Sequence, residues 1–426
     1  MRVIKITPSK LVGRVCPPAS KSLAHRAIIG ALLAKDKSNI SNVYYCNDIE
    51  ATINAAKAFG SRIYQRKSSI FINSTVAFLN NDIEIDADES ASTLRFLIPI
   101  AAALGINCRF IGKEGLSRRP IAPILYCLKD RGVTISGYQG LPLSIRGQLI
   151  PGRFNIDGNI SSQFISGLLF ALPMLKGDSD IVITSHIESY QYIQMTLDVL
   201  KKFQISIEKK PYGFHIKGNQ QYKPCNFLIE PDWSQAANFI VAAALGSKVS
   251  VRGLNLNSTQ GDQEILNVLS SFGQLIKFSN GIVKVLPREI KAVDIDVSQF
   301  PDLLPILAVA ASFADGEVFL YGAKRLRFKE SDRLRATADA LNSIGANIKE
   351  LNDALLVRSV PFFKGGLAES CGDHRIVMAL AMCAARSKEP IFIKNYLGIN
   401  KSYPTFFDDF RCIGGKADVV DLGKEY

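Results

Sequence analysis

Residues Ser20–Lys35 read SKSLAHRAIIGALLAK. Two serines and a lysine stand at the head, and Ala24, Ile28, Ile29, Leu32 and Leu33 then recur at helical spacing, with Ser20 placed as an N-cap. The design returns five more times. The copies are ESASTLRFLIPIAAALG from Glu89, SSQFISGLLFALPMLKG from Ser161, DWSQAANFIVAAALG from Asp232, FPDLLPILAVAASFADG from Phe300 and CGDHRIVMALAMCAARS from Cys371, starting 68 to 72 residues apart. A repeat at fixed period decides the architecture before any single motif does. Each copy has polar residues in its first turn and an apolar body, and a helix apolar nearly all round is a buried one.

Working outward, each buried helix is followed by an amphipathic one, beginning near Asn47, Pro120, Ser189, Gln260, Lys329 and Tyr403. Gly60, Gly132, Gly273 and Gly345 stand where such helices stop. Two-strand patterns follow five of the six, with turns at Pro211-Tyr212-Gly213 and Ser279-Asn280-Gly281. The unit reads strand–helix–strand–helix–hairpin. The sixth unit ends too early for a hairpin, and the chain start, RVIKITPSKLVGRV, offers an unclaimed one. Residues 1–18 are therefore expected to join 231–426 as one three-repeat domain, with 19–230 as the other. Two crossings, near Cys16–Ser20 and Ile229–Asp232, would form a hinge. Helices are expected inside each domain, sheets outside, and the polar helix starts facing the gap.

Composition narrows the function classes. The 426 residues are 47% hydrophobic, with room for large cores. The longest apolar runs fall short of the roughly 20 residues that span a bilayer, so no membrane segment is expected. The eight cysteines form no CxxC pair, no His/Cys cluster has metal spacing, and the chain start reads as short strands rather than a secretory signal. Reduced thiols and a cytoplasmic location are expected. The net charge of +12 favours anionic partners, but the cations are scattered and no basic run is interleaved with aromatics. A small anionic metabolite fits better than nucleic acid.

The chemistry gathers at helix starts, where free N–H groups and the dipole suit anions. Lys21, Ser22, Arg26, Ser92, Thr93, Arg95, Arg119, Ser161, Ser162, Gln163, Lys329, Arg333, His374, Arg375 and Lys401 lie there. That is more than one phosphate requires and fits two anionic ligands. Carboxylates are few: Asp48, Asp302, Glu330 and Asp373. One held among cations stays ionised unless burial opposes it, and can act as a general base.

ASKSLAHRA around Ser20, the FPD of Phe300–Asp302, LRFKESDRL from Leu326, the GDHR of Gly372–Arg375 and NKSYPTFF from Asn400 together resemble the enolpyruvyl transferases, in order and over essentially the whole chain. Within them the likeness is to the branch that uses shikimate 3-phosphate. The resemblance implies an α/β fold, a two-domain inside-out α/β barrel with three βαβαββ repeats and buried helices in each domain, joined by a two-strand hinge. It implies transfer of the enolpyruvyl group of phosphoenolpyruvate to the 5-hydroxyl of shikimate 3-phosphate, with no metal or organic cofactor, by a monomer.

Carried over residue by residue, it assigns phosphoenolpyruvate to Lys21, Ala91, Arg119, Gln163, Arg333, Arg375 and Lys401. Shikimate 3-phosphate falls to Ser22, Arg26, Ser161, Ser162, Gln163, Ser189, Tyr192, Asp302 and Lys329. Asp302 would take the hydroxyl proton, Glu330 or Lys21 would handle protons at the enol carbon, and His374 would orient its neighbours. Ala91 stands at a family glycine, so its methyl is expected to crowd ligands longer than phosphoenolpyruvate, glyphosate among them. Arg325 replaces an asparagine that binds shikimate phosphate in some members. Two rival readings are a UDP-N-acetylglucosamine enolpyruvyl transferase and a non-enzymatic nucleic-acid-binding protein. The first typically has Lys-Asn where this chain has Lys21-Ser22, and a cysteine on a loop, whereas Cys108 lies in a strand pattern and Cys127 in a helix pattern.

Overall fold

The computed structural model describes residues 1–74 and 82–423. The chain divides into two compact units, one of Ala19–Glu230 and one of Met1–Pro18 with Pro231–Tyr426. Among the described residues each holds three four-stranded sheets of one plan. In the second repeat, Ile83–Asp86 runs parallel to Cys108–Ile111, which pairs antiparallel with Leu143–Gly147, itself antiparallel to Val133–Ser136. A parallel pair needs a long crossover, and the buried helix Ala91–Leu104 supplies it. The other five sheets repeat this order.

The helices that carry the crossovers are buried on every side. All twelve residues of Trp233–Ala244, all eight of Leu304–Ala311 and all nine of His374–Met382 are buried, so these segments are core rather than amphipathic cover. Trp233 is among the largest fully buried side chains. The helices Ala91–Leu104 and Ser162–Ala171 approach closely because position 167 is glycine: a Cβ there would lie 2.6 Å from the Arg95 carbonyl oxygen. Gly60, Gly132, Gly273 and Gly345 all have positive φ, the conformation a helix stop requires. Among the described residues no helix is long and apolar enough to cross a membrane.

The expected N-terminal hairpin does not form, and its two strands serve different sheets. Arg2–Thr7 inserts between Ile391–Lys394 and Lys416–Asp421, completing the sixth repeat. Val12–Val15 lies parallel to Lys248–Arg252 and opens the fourth repeat. The sixth repeat already owns one strand, Lys416–Asp421, so it lacks one more rather than a pair. The fourth lacks the strand that would precede its Trp233 helix. The first unit closes in the same manner, Asn226–Leu228 pairing parallel with Asp36–Ser41 of the first repeat.

Candidate active site

In the unit Ala19–Glu230 the polar helix starts are tied together by two buried arginines. Arg26 of the helix Lys21–Leu33 is 2% exposed. Its Nε donates to Thr196 Oγ1 (2.8 Å), Nη1 to the Ser22 carbonyl (2.7 Å) and Nη2 to the Tyr192 carbonyl (2.9 Å). The guanidinium lies over Phe96, 5.1 Å from the ring centroid. Burial pulls its pKa down to about 10, partly offset by Tyr192. Three of its five N–H groups are thus committed to fixing Ser22 and the Tyr192 backbone. Ser189, which precedes the helix Tyr190–Lys202, is buried with φ of 54°, a conformation uncommon outside glycine.

Arg95 is the second tie. Its Nη1 donates to Gln163 Oε1 (2.9 Å) and Ser161 Oγ (3.3 Å), its Nη2 donates to the Pro120 carbonyl (2.8 Å), and the guanidinium lies 4.9 Å from the Phe164 centroid. Gln163 Nε2 in turn donates to Ser92 Oγ (2.9 Å). One arginine so links Ser92, Ser161, Gln163 and the carbonyl next to Arg119. Ser161 caps its helix, accepting from Gln163 N (3.3 Å), and Ser90 caps the helix that Ala91 begins. Ala91, Arg119, Ser161 and Ser162 are all buried.

Lys21 Nζ donates to Asp48 Oδ2 at 2.6 Å. A run of buried hydroxyls, His25 Nδ1 to Thr52 Oγ1 to Thr93 Oγ1 to Ser90 Oγ, joins the first and second repeats behind it. Ser20 occupies the N-cap position of the Lys21 helix, but its side chain makes no cap hydrogen bond, a departure from the sequence reading. His186 is exposed and His215 pairs with Asp180 (2.9 Å).

In the other unit a charged network surrounds Asp302. The Asp302 carboxylate faces Arg333 Nη1 (2.8 Å), Arg375 Nη2 (3.2 Å) and Lys329 Nζ (3.4 Å). Burial alone would raise its pKa, but Lys329, Arg375 and Arg333 outweigh it and hold the group well below the usual carboxylate range. Lys329 is shifted below the ordinary lysine range by burial, with Asp302 opposing. Arg333 is 1% exposed and holds Asp302, Glu330 through Nη2 (2.5 Å) and Asp373 through Nε (2.8 Å). Asp373 is fully buried and also caps the His374 helix, accepting from Arg375 N (2.9 Å).

The same unit places His374 Nδ1 3.8 Å from Asp373 and buries Lys401 in the turn Tyr396–Lys401. Arg325 braces a loop by donating to the Ser298 carbonyl (2.7 Å). Asp262, buried beneath Ser234, was not among the sequence candidates; its only signal is the polar Gln260-Gly261-Asp262 at the start of a repeat's second helix. The two thiols weighed in the sequence are poor nucleophiles: Cys108 lies buried in its strand, and burial pushes Cys127, in the helix Ala122–Leu128, up to about 12. Among the described residues no group of three His, Cys, Asp or Glu side chains is placed to hold a metal ion.

The family model of EPSP synthase (3-phosphoshikimate 1-carboxyvinyltransferase) matches residues 6–410. A 3-phosphoshikimate 1-carboxyvinyltransferase of Clostridium perfringens is 44% identical over 419 residues, covering 97% of this chain and 99% of the relative. One from Clostridium botulinum is 44% identical over 433 residues, covering all of both chains. The solved EPSP synthase of Acinetobacter baumannii superposes with a TM-score of 0.82 at 24% identity, covering 99% of this chain and all of that one. The enolpyruvyl transferase NikO of Streptomyces tendae does so with 0.79 at 16% identity, covering 99% of each chain. The mixed α/β fold of buried helices and short four-stranded sheets is the fold of those structures. The chain belongs to the EPSP synthase family, the 3-phosphoshikimate 1-carboxyvinyltransferases.

Proposed function

We propose that the transfer proceeds by one addition and one elimination, with Asp302 as the base. The chain transfers the enolpyruvyl group of phosphoenolpyruvate to the 5-hydroxyl of shikimate 3-phosphate and releases phosphate. In the addition, Asp302 removes the hydroxyl proton as the oxygen bonds to the central enol carbon, and the methylene carbon gains a proton. In the elimination, that carbon loses a proton and the bond to the phosphate oxygen breaks. Lys21, an ammonium donor beside Asp48, suits the first proton delivery, and Glu330 suits its removal. One observation carries this reading: Asp302 is a half-buried carboxylate kept ionised by three cations. A base must be unprotonated at working pH, and these cations secure that.

The ligand assignments follow the same chemistry. Arg375, Arg333, Lys401, Lys21 and Arg119, with Gln163 and the space beside Ala91, would hold phosphoenolpyruvate. Ser22, Ser161, Ser162, Ser189, Tyr192, Lys329 and Gln163 would hold shikimate 3-phosphate, with Arg26 fixing Ser22 and the Tyr192 backbone as well as contributing charge. Charge-assisted hydrogen bonds are worth roughly 1.5–3 kcal/mol each, enough for several to retain a highly charged ligand pair. The proton steps at the methylene carbon are open to direct test. Turnover in deuterium oxide is expected to place solvent deuterium in the enol methylene of the product, read by mass spectrometry. Product free of deuterium would contradict addition and elimination.

Ala91 gives a second test. It is the first residue of its helix and is 8% exposed. A methyl in a tight pocket discriminates by about tenfold or more. Ala91→Gly is therefore expected to raise sensitivity to glyphosate by about tenfold or more, measured as the inhibition constant against phosphoenolpyruvate. Equal inhibition of both proteins would remove Ala91 from that role.

A further inference from the structure

The unit that holds Asp302 carries another buried carboxyl, used by no step above. Asp262 lies in the single turn Gly261–Glu264 and is 2% exposed. Its Oδ2 accepts a hydrogen bond from Ser234 Oγ of the Trp233 helix, while Oδ1 has no hydrogen-bond partner among the described residues. A charged oxygen buried without a donor is costly. The charged groups facing Asp262 come from each element around it: Asp302 ahead of the Leu304 helix, Arg375 in the His374 helix, and Asp232 at the cap of the Trp233 helix.

Arg375 sits amid the same three carboxylates and is 7% exposed. It donates to Asp302, but its Nε and Nη1 are buried without hydrogen-bond partners among the described residues. Unspent donors and an unspent acceptor thus share one buried neighbourhood without bonding to each other. Burial, then the nearby Asp302 charge, raises the Asp262 pKa, Arg375 and Ser234 oppose them, and the carboxyl comes to rest at about 7.

We propose that Asp262 is a positioning residue whose protonation state governs how strongly Arg375 holds the anionic end of phosphoenolpyruvate. The inference rests on the reading of Arg375 as a ligand of that substrate. Neutral Asp262 leaves the Arg375 charge, already shared with Asp302, available to an incoming anion. Ionised Asp262 adds a carboxylate beside Asp302 and offsets that charge. The anion in turn favours the protonated carboxyl, so binding takes up a proton, and affinity falls as pH rises through the Asp262 range.

The test is kcat/KM for phosphoenolpyruvate at saturating shikimate 3-phosphate from pH 6 to 8.5, for the parent, Asp262→Asn and Ser234→Ala. Asn keeps the shape of Asp and stays neutral. The ratio of Asp262→Asn to parent is expected to be near one at pH 6 and on the order of tenfold at pH 8.5, the scale of one partly screened neighbouring charge. Titration of the substrate's own phosphate is common to all three proteins and cancels in the ratio. Ser234 donates to the ionised carboxyl and stabilises it, so Ser234→Ala is expected to move the midpoint of the profile to higher pH, a shift that a merely structural contact would not produce. A flat ratio, or a midpoint that stays or falls in Ser234→Ala, overturns the proposal. Arg375→Gln separates the two failures. An unchanged KM for phosphoenolpyruvate overturns the reading of Arg375 and this inference with it. A raised KM beside a flat ratio overturns the role of Asp262 alone.

Discussion

Asp302→Asn is expected to keep the fold and the binding of both ligands while slowing turnover by about 10²-fold or more, the scale of a lost general base. The substitution retains the shape of the side chain and one acceptor oxygen, which keeps Lys329 and Arg333 partnered when the amide nitrogen takes the side facing Arg375. What is lost is the capacity to take a proton. The sign of the parent's pH dependence follows from the same contacts. The folded-state pKa of Asp302 is depressed, so the network's contribution to stability is complete above the ordinary carboxylate value of about 4 and is lost as pH falls through the depressed one. Rapid mixing with both substrates, alongside equilibrium binding, checks the kinetic claim. Near-parental turnover would remove Asp302 from the role.

Arg333→Ala is expected to act first on stability. The side chain is 1% exposed and pairs with Asp302, Glu330 and the fully buried Asp373. Truncation leaves the fully buried Asp373 without its counter-charge, and breaking such a buried pair costs about 3–5 kcal/mol. At least four of its five N–H groups are already spent on carboxylates, so any grip on phosphoenolpyruvate requires the ligand to displace Glu330 or Asp302, or to share a donor. Denaturant unfolding of Arg333→Ala against the parent measures the loss. A change under about 1 kcal/mol would show that the network relaxes around the gap and that Arg333 serves the ligand more than the fold.

The six buried helices were legible because their signal is local. An apolar body with a polar first turn has few other solutions, and the near-constant period shows that the solution repeats. Strand pairing was less legible because it is not local. Ile4 pairs with Ile393 and Val12 with Lys248, and nothing within RVIKITPSKLVGRV announces that its two strands part. Only the count of four strands per sheet explains the division, since Lys416–Asp421 leaves a single place beside it.

The site residues divide in a similar way. Lys21, Asp302, Lys329 and Arg375 are visible in the sequence as charges at helix starts. The jobs of Arg26 and Arg95 are not, because Arg26 is defined by a hydroxyl and a carbonyl from the third repeat, and Arg95 by side chains of the third repeat together with a carbonyl of its own repeat. Asp262 escaped for the same reason. A lone aspartate at the head of a short turn is ordinary until Ser234, Asp302 and Arg375 are found around it. Ser20 shows the converse. Its position promised a side-chain cap, yet only the backbone takes the capping conformation.

The most direct test of the account is phosphate release from phosphoenolpyruvate, followed with and without shikimate 3-phosphate and in the presence of a chelator. Release is expected to require shikimate 3-phosphate and to be unaffected by the chelator, because acid, base and cationic groups of the chain supply every proposed step. Release supported by UDP-N-acetylglucosamine instead, or no release with either acceptor, would contradict it.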